Sequence, residues 1–229
     1  MKKLVVLTGA GISAESGIRT FRDMGGLWEE YDVMEVASPQ AWHNKPELVT
    51  RFYNDRRIQL GKVEPNLGHI ALAEAQNEFD VHIITQNVDN LHERAGSTKV
   101  LHLHGELTKM RSTRYSDMIY EVGYKEMSLD DKCEKGFRLR PHIVWFGEEV
   151  PAISEAAEIV AQADIFAVVG TSLNVYPAAG LLDYAPNGIP IFLIDPNDVP
   201  VHSRFDVKYI KAPASTGVKE MFELLQDLK

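Results

Sequence analysis

The chain has 229 residues, one cysteine and a formal net charge of -9 at pH 7. One cysteine excludes an internal disulfide framework and any zinc site built on two or four cysteines of one chain, and the acidic balance argues against a basic nucleic-acid-binding surface. With 45% hydrophobic and 25% charged residues the composition is that of a globular domain able to bury a core, no apolar run approaches the ~20 residues that span a bilayer, and the run after Lys2 and Lys3 is ended by Thr8 and Gly9 too early for a secretory signal. The expectation is a soluble, cytoplasmic protein with neither nucleic acid nor membrane as a partner.

In chain order, residues 4–7 form a short apolar run rich in Val and Leu, which predicts a first strand. Residues 20–66 hold no convincing strand. They contain a loop around Gly25 and Gly26 and a helix from Pro46 to Leu60. A helical stripe over residues 68–79 (Ile70, Leu72, Ala73, Phe79) leads to strands at 81–85 and 100–103. Residues 106–140 are polar and weakly periodic. Strands follow at 142–146, 165–169 and 190–194, with helices over 154–163 and 218–228 and N-caps expected at Ser154 and Thr216. Most strands lack in/out alternation, as in a parallel sheet covered on both faces. The pattern predicts an α/β fold: a doubly wound, parallel, Rossmann-like sheet with a smaller module formed by two insertions. Loops as long as 20–66 and 106–140 are uncommon in compact domains. The expected layout is therefore one domain over 1–229, with the Rossmann-like part at 1–19, 67–105 and 141–229 and the small module at 20–66 and 106–140.

Gly9-Ala10-Gly11-Ile12-Ser13-Ala14 follows the first strand and matches the dinucleotide fingerprint G-x-G-x-x-G/A. Gly9 permits a tight turn, Gly11 lets a phosphate approach the backbone, and the N–H groups of the next helix favour an anion. A tight βα turn without a ligand is the alternative. The strand-terminal acid that a dehydrogenase places ~20 residues on is missing, because no apolar strand precedes Asp23, Glu29, Glu30 or Asp32. Arg22 suits a phosphate or a surface ion pair. The other candidates lie at strand ends, where open α/β sheets bind ligands. Gln86, Asn87 and Asp89 suit a sugar or carboxamide, or else Asn87 caps a helix whose dipole Asp89 favours. His104 is a candidate general base, although spacing does not choose between it, His102 and His92. Gly170-Thr171-Ser172 and Asp195 complete the sheet edge.

Taken in order, Gly9 to Ile18 with Phe21-Arg22, then Thr85 to His92, His104-Gly105, Val144-Trp145-Phe146-Gly147-Glu148, and Gly170 to Pro177 resemble the sirtuins, NAD-dependent protein lysine deacylases. The resemblance implies that NAD is held by Gly9, Ala10, Gly11, Ser13, Gly170, Thr171, Ser172 and Asp195. Asn87 and Asp89 would hold the carboxamide, Gln86 the adjoining ribose, Phe21 would cover the vacated nicotinamide site, and Arg22 would steady phosphate and loop. The substrate acyl oxygen would attack the ribose as nicotinamide leaves, and His104 would act as general base toward an O-acyl-ADP-ribose. Acylated-lysine peptides would pair with Val144, Phe146, Gly147, Asn174 and Tyr176 by β-augmentation. Tyr53-Asn54-Asp55-Arg56 resembles the Tyr-x-x-Arg motif of the desuccinylase and demalonylase branch. Residues i and i+3 share a helix face, and an arginine fork fits a carboxylate. A solvated helix face is the alternative, since Arg57 follows directly.

The family's structural zinc is held by two C-x-x-C pairs, which would fall near Ser112 and Tyr115 and near Cys133 and Gly136. With only Cys133 present, no structural zinc is expected. Cys133 is expected as a partly exposed thiol, and the module is expected to pack through Met110, Tyr115, Met118, Ile119, Tyr120, Val122, Tyr124, Met127, Leu129 and Phe137. Asp195 stands where the family often has asparagine. An ordinary deacetylase, an NAD glycohydrolase or ADP-ribosyltransferase, and a non-enzymatic NAD-binding module are the competing readings.

Overall fold

A computed structural model describes residues 1–19, 32–200 and 206–226; Phe21, Arg22 and the loop at Gly25 and Gly26 lie outside them. The strands are β1 (Lys3–Thr8), β2 (Asp80–Thr85), β3 (Val100–His102), β4 (Gly105–Ser112), β5 (Ile119–Glu121), β6 (Leu139–Ile143), β7 (Ile165–Val169), β8 (Ile191–Ile194) and β9 (Val207–Ile210). The helices are α1 (Ala10–Ala14), α2 (Val33–Val36), α3 (Pro39–Asn44), α4 (Pro46–Leu60), α5 (Leu67–Glu74), α6 (Leu91–Ala95), α7 (Ile153–Val160) and α8 (Ala214–Gln226).

Six strands form a parallel sheet in the order β3-β2-β1-β7-β8-β9, as the α/β doubly wound expectation requires. Strand side chains alternate between faces, and here both faces are buried. Leu4, Val6, Ile83 and Ala167 pack toward α5 and α8 on one side. Val5, Leu7, Ile84, Phe166 and Val168 pack toward α7 and the 3₁₀ helix Ala178–Tyr184 on the other. The order reverses between β1 and β7, so the loops after those strands and after β2 meet at the crevice where such sheets bind ligands.

The second sheet is antiparallel, in the order β5-β4-β6. The strand expected at 142–146 in the parallel sheet is instead β6, at Leu139–Ile143, and pairs with β4. The chain crosses between the sheets at Gly105, whose φ is +79° and where a Cβ would lie 2.0 Å from His142 O, so glycine alone fits. A third apolar cluster, including Val36, Val49, Phe52, Tyr53, Leu107, Ile143 and Trp145, joins α2–α4 to this sheet. The two expected N-caps are absent: Ala152 precedes α7, and Thr216 lies inside α8.

Of the apolar set expected in the small module, Met127 is buried, Met110, Tyr115, Met118, Tyr120, Val122 and Leu129 are half-buried, and Ile119, Tyr124 and Phe137 are exposed. Hydrogen bonds to α4 also tie the module down. Asn54 brackets Met127, donating to its carbonyl at 2.9 Å and accepting its N–H at 3.0 Å. Arg57, fully buried, donates to Asn54 Oδ1 at 2.6 Å and to Leu107 O at 2.7 Å. Cys133 is buried rather than partly exposed, and its thiol donates to Ser112 Oγ at 3.5 Å. Tyr115 and Phe137 stack edge-to-face beside it, 5.6 Å between centroids. Among the described residues no group of three or more His, Cys, Asp or Glu side chains is placed to hold a metal ion, and no helix is long and apolar enough to cross a membrane.

Candidate active site

The glycine loop is built against the β7 edge. Gly9 N–H donates to Val169 O at 3.1 Å and Gly11 N–H to Gly170 O at 2.8 Å. A Cβ on Gly11 would stand 2.7 Å from Gly170 Cα, and one on Gly170 would stand 2.4 Å from Ile12 N. Close backbone packing therefore already accounts for these glycines before any phosphate is considered.

Beyond β2, Thr85 Oγ1 accepts from the Thr8 hydroxyl at 2.8 Å and from Asn87 N–H at 3.0 Å. These bonds turn the Asn87 side chain toward α1, where Nδ2 donates to Gly9 O at 3.0 Å and to Ser13 Oγ at 3.1 Å. Asn87 is thus not a helix cap; Asn90 holds the N-cap position of α6, without a side-chain bond. Asp89 accepts Leu91 N–H through Oδ1 at 3.2 Å, while its Oδ2 accepts from the Ser13 hydroxyl at 3.0 Å. Burial raises the Asp89 pKa, against the lowering effect of the Leu91 and Ser13 bonds. Gln86 reaches across the crevice and donates to Thr171 Oγ1 at 3.0 Å. Ser172, Asn174 and Tyr176 lie exposed beyond it, and Asp195 is buried, its Oδ1 accepting Asn197 N–H at 2.9 Å.

Partners separate the three histidines that spacing left open. His104 Nδ1 lies 3.0 Å from Gln86 O. A carbonyl only accepts, so Nδ1 carries the proton and Nε2 keeps its lone pair. Burial lowers the His104 pKa, which favours that neutral form. His102 meets two acceptors, Asn87 O at 3.0 Å and Glu93 Oε1 at 2.8 Å, so both of its nitrogens must donate. Burial opposes that charge, but Glu93 overrides it and the pKa is raised. His92 is buried against Thr8 at 3.1 Å, and burial holds its pKa well below 6.5.

Tyr53 and Arg56 do not form a solvated helix face, since both are buried. Arg56 lines the same pocket as Ala10, Ser13, Asn87 and Asp89. Burial lowers its pKa, and Tyr53 and Asp89 act in the opposite sense. Arg57 points instead into the module, so adjacent arginines have different surroundings. Sequence reading missed the Thr8–Thr85 pair and the Arg140–Glu148 clamp around Trp145, because their side chains meet only through tertiary structure. Of the peptide-pairing candidates, Val144 N–H is engaged by His104 O and Phe146 N–H by Ala37 O, whereas Gly147 is exposed with φ at +88°.

Residues 9–177 match the Sir2 family, the sirtuins, and the chain belongs to that family. It is 54% identical over 98% of both chains to an NAD-dependent protein deacylase of Bacteroides thetaiotaomicron. It is 49% identical to one of Helicobacter pylori, covering 100% of this chain and 99% of the other. A Sir2 homologue solved as an NAD complex superposes with a TM-score of 0.88 at 40% identity, covering 99% of this chain and 90% of the other. A Sir2 protein solved with a deacetylated peptide and 3'-O-acetyl ADP-ribose gives 0.83 at 32% identity, covering 96% and 92%.

Proposed function

We propose that this protein is an NAD-dependent protein-lysine deacylase with a preference for succinyl, malonyl or similarly acidic acyl groups. The activities named for its relatives and the ligands of the solved Sir2 neighbours support the deacylase reading. The acyl preference rests on one observation: Arg56, a buried cation, lines the same pocket as Asn87 and Asp89. A carboxylate arriving there gains a charge-assisted bond to the guanidinium, which a terminal methyl cannot do.

The residues fit a nicotinamide-bearing ligand. The Asp89 carboxyl group retains acceptor capacity beyond the Ser13 and Leu91 bonds, as a carboxamide N–H₂ requires. Bound NAD supplies an electrophilic ribose carbon when nicotinamide departs. Asn87 and Asp89 orient the carboxamide, and Gln86 with Thr171 presents polar groups to the ribose. His104 takes a proton at Nε2 while Gln86 O fixes its ring through Nδ1. The loop from Gly9 to Ser13 with Gly170 seats the phosphates, and Asp195 lies at the adenosine end of the edge. Phe21 and Arg22 carry their expected roles from the family resemblance alone. In this reading both sheets serve one catalytic domain, with the cofactor on the larger and the acyl end against α4.

The test is product analysis by mass after incubation with NAD and matched succinyl- and acetyl-lysine peptides. O-succinyl-ADP-ribose formed faster than the acetyl product supports the proposal. Preferential acetyl turnover refutes the acidic preference, and nicotinamide release without peptide points to glycohydrolase activity. Arg56→Met should lower succinyl turnover at least ~10-fold more than acetyl turnover, because a charge-assisted bond is lost.

A further inference from the structure

Trp145 makes a hydrogen bond whose direction is fixed. An indole N–H only donates, and Nε1 lies 3.0 Å from the Tyr53 hydroxyl oxygen. The phenol therefore accepts from Trp145, and its own O–H is left to donate to a different group. Burial pushes the Tyr53 pKa up to about 12, so that proton stays in place.

The indole is itself held from several sides. The Arg140 guanidinium sits 3.4 Å over its ring. Arg140 grips Glu148 through two bonds, at 2.6 and 3.1 Å, and Glu148 Oε2 accepts Trp145 N–H at 2.8 Å. Trp42 lies against it at 5.9 Å between centroids, and the side chain is 2% exposed. Little freedom remains for the indole to turn away from Tyr53.

We propose that Trp145 is a positioning residue that sets acyl specificity: its N–H occupies an acceptor site of Tyr53 and so commits the phenol to donate beside Arg56. Beside Arg56, whose charge acts on the phenol, a donated O–H suits a carboxylate and gives a methyl group nothing to bind. This inference rests on the acidic-acyl reading above.

The experiment is a double-mutant cycle of Trp145→Phe and Tyr53→Phe on the full chain. Its readout is the ratio of kcat/KM for succinyl- over acetyl-lysine peptides, in which peptide-backbone and NAD contacts cancel. Trp145→Phe should lower that ratio roughly fivefold, the size of one lost hydrogen bond. In the Tyr53→Phe background it should change the ratio by less than about twofold, because the partner is already gone. An unchanged ratio, or an equal fall in both backgrounds, overturns the proposal. Should Trp145→Phe fail to fold, benzothienylalanine at position 145 removes the N–H with nearly the same shape and reads the same ratio. A parent protein that does not favour the succinyl peptide defeats the acyl reading itself, and that is seen before any substitution is made.

Discussion

An imidazole can serve as base, cation or inert donor, and the histidines at this sheet edge are sorted among those states by their acceptors. His104 has one carbonyl partner and is left with a lone pair; His102 has two acceptors and is held as a cation. Because burial lowers the His104 pKa below 6.5, the neutral form proposed to act as base persists into mild acid. The acid limb of the kcat/KM profile for deacylation should therefore fall below pH 6.5 rather than above it, and His104→Ala should abolish deacylation while calorimetry still detects NAD binding. Near-normal turnover by that variant removes the general-base role.

At the scale of elements, α4 serves two sites with neighbouring side chains. Tyr53 accepts from Trp145 and Arg56 lines the pocket with Asn87 and Asp89, while Asn54 and Arg57 fasten the antiparallel module. Asn54→Ala strands both polar groups of Met127 in a buried setting, which costs about 2 kcal/mol. Urea denaturation should show that loss, and hydrogen exchange should show it concentrated around residues 125–129; uniform protection would mean that the module is held by other contacts. The bounds of α4 were legible from sequence because Pro46 opens it and Gly61 ends its apolar pattern. The parallel strands were legible because both of their faces are apolar. β9 was not, since Lys208 and Tyr209 are exposed on a sheet edge, where polar side chains are the rule. β4 and β5 also escaped, because β4 carries few apolar side chains and β5 has none buried, so neither forms an apolar run. In the candidate site, residue types at strand ends were legible, but the direction of each hydrogen bond needed the tertiary structure.

Across the whole molecule, buried neutral histidines make stability depend on acid. His69 accepts the Asn66 N–H through Nδ1 at 3.4 Å, a cap that protonation would break, and burial lowers its pKa to about 4. Burial likewise lowers His142 to about 4. Between pH 6.5 and about 4 the unfolded chain binds protons that these groups refuse when folded, so stability is full above 6.5 and falls as pH drops through that window. His102, whose pKa is raised, acts in the opposite sense. His69 alone contributes a loss of about 2 kcal/mol between about pH 7.5 and about pH 5. Chemical denaturation at those two pH values should show the loss, and His69→Gln should flatten it; an unchanged slope in the variant would assign the acid sensitivity elsewhere.

The place of β1 between β2 and β7 also bears on how the chain assembles during synthesis. Its partner residues 165–169 leave the ribosome long after residues 3–8, so one edge of a strand buried from Leu4 to Thr8 waits unpaired through most of translation. A nascent chain halted before Ile165 would carry that apolar edge open to other chains. Cooperative folding therefore has to wait until the second half of the sheet emerges, and chaperone demand should be greatest in that interval.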